Sequence, residues 1–256
     1  MIDWAASFSI LADTAIWLYI FKGVVFTLII SAISVTLGVI FGSVLALVRN
    51  YCNKGIARIF KFLSVAYIEL FRNTPLLLWL FICLVFFPVP EFFTHRMLGL
   101  TSVETKILFR SAAALIMFTS SIIAEVVRGG LNAVAEGQFE AGHSQGFSVV
   151  QVMLYIVLPQ AFNAIIPTLL SQVITTIKDS SYIANVAVIE LMSRVRKILS
   201  TSGVYNGTGK QLVSDVFVLF GLAFLIYFIV NFALSCAVRY YQKRRERAAS
   251  PARFSA

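Results

Sequence analysis

Long apolar stretches alternate with short polar segments along this chain. A helix that crosses a lipid bilayer needs about 20 mainly apolar residues, within a range of about 17–25. Five stretches approach this length, and the only charged residue inside them is Glu125. They are Gly23–Val48, Asn73–Pro90, Ser111–Val127, Gln160–Ile177 and Val216–Val238. The pattern predicts an all-α integral membrane protein with about five transmembrane helices.

The composition agrees with a membrane protein. The chain of 256 residues is 59% hydrophobic and 13% charged, whereas soluble domains are about 45–50% apolar and about 25% charged. A net charge of +9 also occurs in nucleic-acid-binding proteins. Much of this charge flanks the apolar stretches, however, as it does in the cytoplasmic loops of membrane proteins. We therefore expect no nucleic-acid partner, and contact of the basic tail with membrane lipids of anionic headgroup.

The lysine and arginine residues predict how the chain crosses the membrane, because cytoplasmic loops are enriched in them. Arg49, Lys54, Arg58 and Lys61 follow the first predicted span, and the carboxyl-terminal tail is also basic. Both clusters lie inside if the amino terminus is outside and five spans follow. The basic residues of the other loops then lie outside, against the same tendency.

This topology divides the chain into three parts. Residues 1–22 are predicted to form an amino-terminal extracytoplasmic leader, residues 23–243 a single transmembrane domain, and residues 244–256 a basic cytoplasmic tail. Within the domain, a cytoplasmic loop covers about residues 129–158. No basic residue precedes Lys22, so a cleavable signal peptide is not expected.

No group of residues predicts a catalytic or metal site. The three cysteines, Cys52, Cys83 and Cys236, lack the spacing of a metal site or a disulfide framework. The sequence also contains no G-x-x-x-x-G-K-[ST] loop, the motif that binds the phosphates of ATP. We expect no catalytic residue, no metal and no cofactor in this chain, which is therefore not predicted to be an enzyme.

A polar segment, EAGHSQGF, leads directly into the apolar segment SVVQVMLYIVLP. The pattern predicts a short helix from about Gly137 to Gln145, ended by Gly146 in the left-handed conformation. Ser148 is a candidate N-cap for a second helix. Pro159 is suited to open the next helix, where it needs no amide donor. The small side chains in the first helix would let another protein approach its backbone, so this segment is predicted to be a docking site.

The same segment resembles the EAA signature of the membrane subunits of bacterial ABC importers. That signature reads E-A-A, three residues, Gly, nine residues and I-x-L-P. Here Glu140, Ala141 and Gly142 are followed by Gly146 and by Ile156-Val157-Leu158-Pro159. The spacing is intact, and Gly142 replaces the usual alanine. Glycine in a helix costs about 0.8–1 kcal/mol relative to alanine.

Three further segments resemble the polar amino-acid permease branch of these importers. YIELFRNTPLLLWLF (Tyr67–Phe81) is similar to its F-R-G-T-P-L-L element, with Asn73 in place of glycine. SSIIAEVVRGGLNAVAEGQFEAG (Ser120–Gly142) is similar to its A-E-x-x-R-x-G segment. IKDSSYIANVAVIELM (Ile177–Met192) is similar to its K-D-T-S-L element, with serine for threonine and tyrosine for leucine. The resemblance covers roughly Lys22 to Lys243.

This resemblance implies the type I ABC importer permease fold and a pore subunit in the inner membrane of a bacterium. Such a chain pairs with a copy or a paralogue of itself. Two separate ATP-binding subunits, which bind ATP and Mg²⁺, dock in the cytoplasm on the EAA helices. An extracytoplasmic binding protein delivers the polar amino acid.

The resemblance also assigns roles to particular residues. Glu140, Ala141, Gly142, Gly146 and Pro159 are predicted to couple the chain to the ATPase. For Glu140 the alternative is a solvated carboxylate in a loop, and for Pro159 a structural role at the start of a span.

Charged residues in spans are functional candidates, because each costs about 2.5–3.5 kcal/mol to insert. Glu125 is a candidate for the substrate path, or else forms an ion pair with Arg128, three residues along the same helix. The candidates for a gate or for structural support are Arg72, Thr74, Pro75 and Arg128.

Groups complementary to the carboxylate and ammonium of an amino acid occur together at Lys178, Asp179, Ser180 and Ser181. They are candidates for substrate contact. The alternative is that the lysine and the aspartate neutralise each other.

Other classes of function fit the sequence less well. A secondary carrier or channel for small polar solutes would need no ATPase partner. An integral-membrane enzyme would need clustered His, Asp or Glu at a membrane face. A membrane scaffold would fit the composition but would leave the EAA-like segment unexplained.

Overall fold

A computed structural model of the chain describes residues 2–97, 99–186 and 190–249. Every regular element in these ranges is helical. Residues 250–256 of the predicted basic tail lie outside the described residues.

The helices are long where the sequence is apolar and short in the connections. In chain order they are α1 (Trp4–Ser9), α2 (Thr14–Tyr51), α3 (Ala57–Arg72), α4 (Leu76–Phe86), α5 (Ser102–Asn132), α6 (Gly137–Ser144), α7 (Val149–Val152), α8 (Leu158–Asp179), α9 (Leu191–Ser200), α10 (Ser202–Tyr205) and α11 (Val213–Ala249). Segments of 3₁₀-helix cover Ile10–Ala12, Glu91–Thr94 and Ser180–Val186, and a π-helical turn covers Met153–Val157.

Four of the described helical stretches are long and apolar enough to cross a membrane: Thr14–Tyr51, Ser102–Asn132, Val149–Val186 and Val213–Arg244. The pair α3 and α4 provides a fifth span if the two helices are counted together. The prediction of an all-α membrane protein with about five spans is confirmed.

Within the second predicted span, Asn73–Pro90, the helix α4 covers only Leu76–Phe86. α3 ends at Arg72 and α4 begins at Leu76, so Pro75 lies in the break between them. The physical reason is that proline has no N–H to donate and disfavours helical geometry in the residue before it. The Asn73 side chain donates a hydrogen bond to the Glu69 carbonyl, 2.9 Å away, at the end of α3.

The chain forms two compact units. The first contains the residues up to Ile33, Leu76–Leu115 and Ile174–Ala237. Its apolar core joins the amino-terminal segment to α9 and α11 and consists of Ile10, Ile16, Ile20, Leu191, Val195, Ile198, Leu219 and Ala223. The amino-terminal segment, predicted to be a leader, thus contributes side chains to this core.

The second unit contains Ser34–Pro75, Ile116–Val173 and the residues from Val238 onward. Its core joins α2, α5 and the segment from α7 to α8, and consists of Ala46, Ile123, Val127, Leu131, Val152, Val157, Ala161 and Ile165. Because α5 and the segment after α6 share this core, the residues of the EAA-like signature are attached to a packed part of the protein.

Candidate functional site

The EAA-like signature begins on the short helix α6. The predicted helix from about Gly137 to Gln145 is confirmed, because α6 covers Gly137–Ser144. Gly146 has φ +82°, the left-handed conformation that glycine adopts without strain. Its N–H donates to the His143 carbonyl at 2.9 Å, and the Phe147 N–H donates to the Gly142 carbonyl at 3.1 Å. The turn after α6 is therefore closed by backbone hydrogen bonds.

A capping box starts the next helix, α7. The Ser148 hydroxyl accepts a hydrogen bond from the Gln151 N–H at 3.3 Å, and the Gln151 side chain accepts one from the Ser148 N–H at 2.8 Å. The prediction of Ser148 as N-cap is confirmed. A capped start fixes the direction of α7 relative to the preceding turn.

The helical backbone does not begin afresh at Pro159. It continues from α7 through the π-helical turn Met153–Val157 into α8, where Pro159 is the second residue. The prediction that Pro159 opens a separate helix is corrected in this respect. A proline cannot donate to the preceding turn, and the wide π turn lies directly before this missing donor.

The residues of the signature differ in exposure. Glu140, Ala141, Gly146 and Pro159 are exposed, whereas Gly142 is buried. A Cβ atom at Gly142 would lie 2.7 Å from Cγ2 of Val152, which is closer than van der Waals contact permits. The sequence predicts that the small residues of α6 let a partner protein approach. At Gly142, the close approach is made by α7 of the same chain.

A cluster of charged residues lies at the ends of three helices in the same unit. Arg128 donates to Glu125 through Nε at 3.0 Å and through Nη2 at 2.8 Å. Arg49 also donates to Glu125, and the Arg72 guanidinium lies 3.7 Å from the same carboxylate. The predicted pair of Glu125 with Arg128 is confirmed, and Arg72 joins it.

Two members of this cluster were not singled out from the sequence. Arg49 is the first charged residue after the charge-free stretch Gly23–Val48, and the sequence indicates only a cytoplasmic flanking charge there. Its guanidinium also lies 3.5 Å from Glu69. Glu69 precedes Arg72 by three residues, a spacing that predicts a pair within α3 and does not point to Arg49. Which carboxylate Arg49 would meet depends on the packing of α2 on α5, which periodicity does not give.

Thr74 lies in the break after α3, next to Pro75. Its hydroxyl donates to the Leu70 carbonyl at 2.6 Å. This bond satisfies a carbonyl that has no helical partner beyond the end of α3. In this structure, the polar residues before Pro75 close a helix end.

The candidate substrate residues Lys178–Ser181 belong to the other unit, at the end of α8. Lys178 is exposed, and Asp179 and Ser181 are half-buried. Ser180 is fully buried, and its hydroxyl donates to the Ile177 carbonyl at 2.8 Å. Lys178 and Asp179 thus present charged groups at a helix end, while Ser180 supports the backbone of the last turn.

Glu190 is a buried carboxylate that the sequence did not point to as a site. It is the N-cap of α9 and accepts hydrogen bonds from the N–H groups of Met192 at 2.8 Å and Ser193 at 2.6 Å. The Tyr227 hydroxyl donates to it at 3.2 Å. Burial raises the pKa of Glu190 to about 7, against the lowering effect of these hydrogen bonds.

Arg194 lies one helical turn after Glu190. Its guanidinium lies 4.3 Å from the centre of the Tyr19 ring and donates to the Tyr19 carbonyl at 3.1 Å. Burial lowers the pKa of Arg194 below its usual value. These contacts attach α9 to the amino-terminal part of α2 within the first unit.

Asp215, at the start of α11, accepts several hydrogen bonds at once. The donors are the hydroxyls of Ser7 at 2.6 Å and Ser202 at 2.7 Å, the Asn206 side chain at 2.8 Å and the Leu212 N–H at 2.9 Å. Asp215 therefore joins α10 and the loop before α11 to α1, whose Ser7 lies 208 residues away in the sequence.

Comparison with known proteins identifies related chains. The sequence model of a family described as "Binding-protein-dependent transport system inner membrane component" matches residues 34–247. The chain is 32% identical over 227 residues to the probable glutamine ABC transporter permease protein GlnP of Bacillus subtilis. This match covers 89% of this chain and 94% of the relative. The chain is 30% identical over 226 residues to the glutamate/aspartate import permease protein GltK of Escherichia coli O157:H7, covering 88% and 93%.

Solved structures share the fold. The match to the crystal structure of an amino acid ABC transporter with histidines has a TM-score of 0.71 at 24% identity, and covers 95% of this chain and 99% of the other. The match to the MetNI methionine ABC transporter in an inward-facing conformation has a TM-score of 0.62 at 19% identity, and covers 89% and 98%. At these identities the likeness concerns the fold alone.

Proposed function

This chain belongs to the family of binding-protein-dependent transport system inner membrane components, and we propose that it forms half of the membrane pore of an ATP-driven importer for a polar amino acid. It is a multi-pass protein of the cytoplasmic membrane. The observation that carries the proposal is the exposed helix α6, which bears the EAA-like signature and is closed by a turn at Gly146.

The class of substrate is supported by the relatives. Those at 30–32% identity over most of both chains are named for glutamine and for glutamate and aspartate. These amino acids share an ammonium, a carboxylate and a polar side chain. We assign this chain to the same class of substrate.

The partners follow from the family. Its members work with a second permease chain, ATP-binding subunits and a binding protein. Here the second permease is a copy or a paralogue, two ATPase subunits bind ATP and Mg²⁺ in the cytoplasm, and the binding protein is extracytoplasmic. The chain itself contains no P-loop motif and acts as the non-catalytic subunit.

Coupling passes through α6. Glu140 and Ala141 are exposed on this helix, and Gly146 ends it. A groove of the ATPase receives this surface, and Glu140 contacts a basic or amide group there. When the ATPases close on ATP, they pull on α6 and change the side of the membrane to which the pore opens.

In the orientation that the basic residues predict, with the amino terminus outside, α6 and the cluster around Glu125 lie on the cytoplasmic side. The cluster then lies near the inner end of the pore. Arg49, Arg72 and Arg128 come from three different helices and converge on one carboxylate. We assign Glu125 primarily to holding these helices together at the inner gate, because its charge is already compensated by these arginines.

Lys178 and Asp179 contact the substrate in this proposal. An exposed lysine suits the carboxylate of an amino acid, and a half-buried aspartate suits its ammonium group. Ser180 positions the end of α8 through its bond to the Ile177 carbonyl. Ser181 follows it as a half-buried hydroxyl.

The test is purification of the tagged chain from its native membranes, followed by mass spectrometry and by uptake measurements. We expect an ATPase with a P-loop to copurify, and Glu140→Lys to reduce both its recovery and amino-acid uptake. Glu91→Lys is the matched control, because it makes the same charge change in a loop on the opposite side of the membrane. A well-folded chain that brings no ATPase, with uptake that stops when ion gradients are dissipated, would instead indicate a secondary carrier.

A further inference from the structure

Gly142 stands where the EAA signature usually has alanine, and the structure gives this departure a physical context. The residue is buried, although its neighbours on α6 are exposed. A methyl group at this position would lie 2.7 Å from Cγ2 of Val152 and 3.1 Å from Cδ1 of Ile156. The space that an alanine side chain would need is therefore filled by the branched side chains of Val152 and Ile156.

We propose that the contact of Gly142 with Val152 and Ile156 is the positioning contact through which movement of α6 reaches the membrane span α8. The proposal rests on the coupling function assigned to α6 above. Gly142 acts through its neighbours and touches neither ATP nor the transported amino acid.

The backbone connection between α6 and α7 is short and contains a glycine. Residues 145–148 connect the two helices, and Gly146 among them has a positive φ. Glycine permits a wider range of backbone angles than any other residue. A turn of this kind sets the path of the chain, but a side-chain contact is needed if the two helices are to move as one body.

Val152 provides that side-chain contact, because it packs against α6 on one side and against the core of the second unit on the other. It touches α6 at Gly142 and belongs to the buried core of the second unit, together with Ile123 and Val127 of α5. Its side chain is completely buried. A displacement of α6 toward α7 therefore meets a residue that is already packed, and close-packed interiors transmit such displacements.

The π-helical turn follows Val152 immediately. Ile156, the second contact of Gly142, lies within this turn, Met153–Val157, and the turn leads directly into α8. π-helical turns have a wider hydrogen-bonding pattern than α-helices and are frequent at functional sites. The contact at Gly142 thus acts at the point where the chain passes from the docking segment into the span.

The test uses two substitutions and their combination in the complete transporter, reconstituted into proteoliposomes. Gly142→Ala adds a methyl group that collides with Val152, and we expect amino-acid transport per ATP hydrolysed to fall at least about fivefold. Val152→Ala removes the γ-methyl groups that the new methyl meets. The double variant is expected to recover to within about twofold of the wild type, because the two changes compensate in volume.

Gly137→Ala is the matched control. It introduces the same change into the same helix, at a position where a Cβ meets nothing within 4 Å. We expect transport to be unchanged. Equal losses in Gly137→Ala and Gly142→Ala, or a loss in Gly142→Ala that Val152→Ala does not relieve, would overturn the proposal.

A distance measurement keeps the proposal testable if Val152→Ala weakens folding. Spin labels at Ser144 and Ala164, introduced after replacement of the native cysteines, report the separation of α6 and α8 within one unit. We expect the same distance distribution in the nucleotide-free and ATP-trapped states of the wild type, and a state-dependent distance in Gly142→Ala. A state-dependent distance in the wild type would contradict the proposal.

Failure of this proposal is distinct from failure of the coupling function. If Glu140→Lys abolishes ATPase recovery while Gly142→Ala changes nothing, α6 is the docking helix and the Gly142 contact is not needed. If no ATPase is recovered with the wild type, the function assigned to α6 is itself wrong.

Discussion

Arg128 donates two hydrogen bonds to the same carboxylate oxygen of Glu125, at 3.0 and 2.8 Å, from one turn further along α5. A pair three residues apart on an exposed helix contributes only about 0.2–0.5 kcal/mol. This pair differs because Arg49 of α2 and Arg72 of α3 approach the same carboxylate. One acidic group therefore links three helices, and its removal leaves several positive charges close together.

We expect Glu125→Gln to destabilise the assembled transporter by about 1–3 kcal/mol, because the loss of a mostly buried carboxylate removes the negative charge on which three arginines converge. The measurement is the loss of monodisperse complex on heating in detergent. Glu91→Gln, an exposed acid in a loop, is the control and should leave the transition unchanged. Coinciding transitions for the two variants would show that the cluster does not stabilise the fold.

The arginines of the cluster should contribute unequally to the stability of the complex. Arg128→Gln is expected to destabilise more than Arg72→Gln, since the Arg72 side chain is 40% exposed and its closest approach to Glu125 is 3.7 Å. Exposed pairs of this kind contribute about 0–1 kcal/mol. The same thermal measurement checks the order, and the reverse order would mean that Arg72 has another task, such as a direct role in the gate.

Lys178→Ala and Asp179→Ala are predicted to raise the KM for amino-acid uptake by about tenfold each, because each removes a charged group that we propose contacts the substrate. The complex should still contain its ATPase, since neither residue lies on α6, the proposed docking helix. Initial rates of uptake over a range of substrate concentrations give the KM. Lys210→Ala, which removes an exposed lysine from a loop, serves as the control. An unchanged KM in both test variants would exclude these residues from the substrate path.

Glu190 is predicted to make stability depend on pH. Its pKa is raised from 4.5 to about 7 in the folded protein by burial, so the folded state holds a proton that the unfolded state has released. The stabilisation is complete below the unfolded pKa and is lost as pH rises through about 7. Thermal unfolding between about pH 5 and about pH 8 should therefore show decreasing stability, by up to about 3 kcal/mol.

Glu190→Gln isolates this contribution, because glutamine keeps a carbonyl oxygen for the start of α9 but does not titrate. We expect the pH dependence to become flatter over this range. If the stability of the wild type and that of Glu190→Gln change in parallel with pH, Glu190 does not take up a proton on folding.

Asp215→Asn is expected to cost about 1–3 kcal/mol, because an amide cannot accept all the hydrogen bonds that the carboxylate accepts from Ser7, Ser202, Asn206 and the Leu212 N–H. Limited proteolysis of residues 201–212 should become faster before global unfolding is affected. Asp13→Asn is the control, since Asp13 is exposed and bonds only within its own turn in the described structure. Unchanged cleavage in Asp215→Asn would show that this carboxylate does not hold the loop.

The sequence by itself determined the features that depend on neighbouring residues. The length of the apolar stretches predicted the spans, because a helix crosses the lipid only where about 20 consecutive residues are mainly apolar. The end of α6 at Gly146 and the start of α7 at Ser148 followed from local backbone preferences. The spacing from Glu140 to Pro159, which carries the resemblance to the EAA signature, is likewise a property of neighbouring residues.

Tertiary structure decided which distant groups meet. Arg49 and Glu125 are 76 residues apart, and the burial of Gly142 against Val152 depends on how two helices fold onto each other. Glu190 with Tyr227, and Asp215 with Ser7, are likewise pairs that no periodicity relates. Such contacts are set by the packing of whole helices, where a small rotation changes every partner, so the composition of each segment cannot specify them.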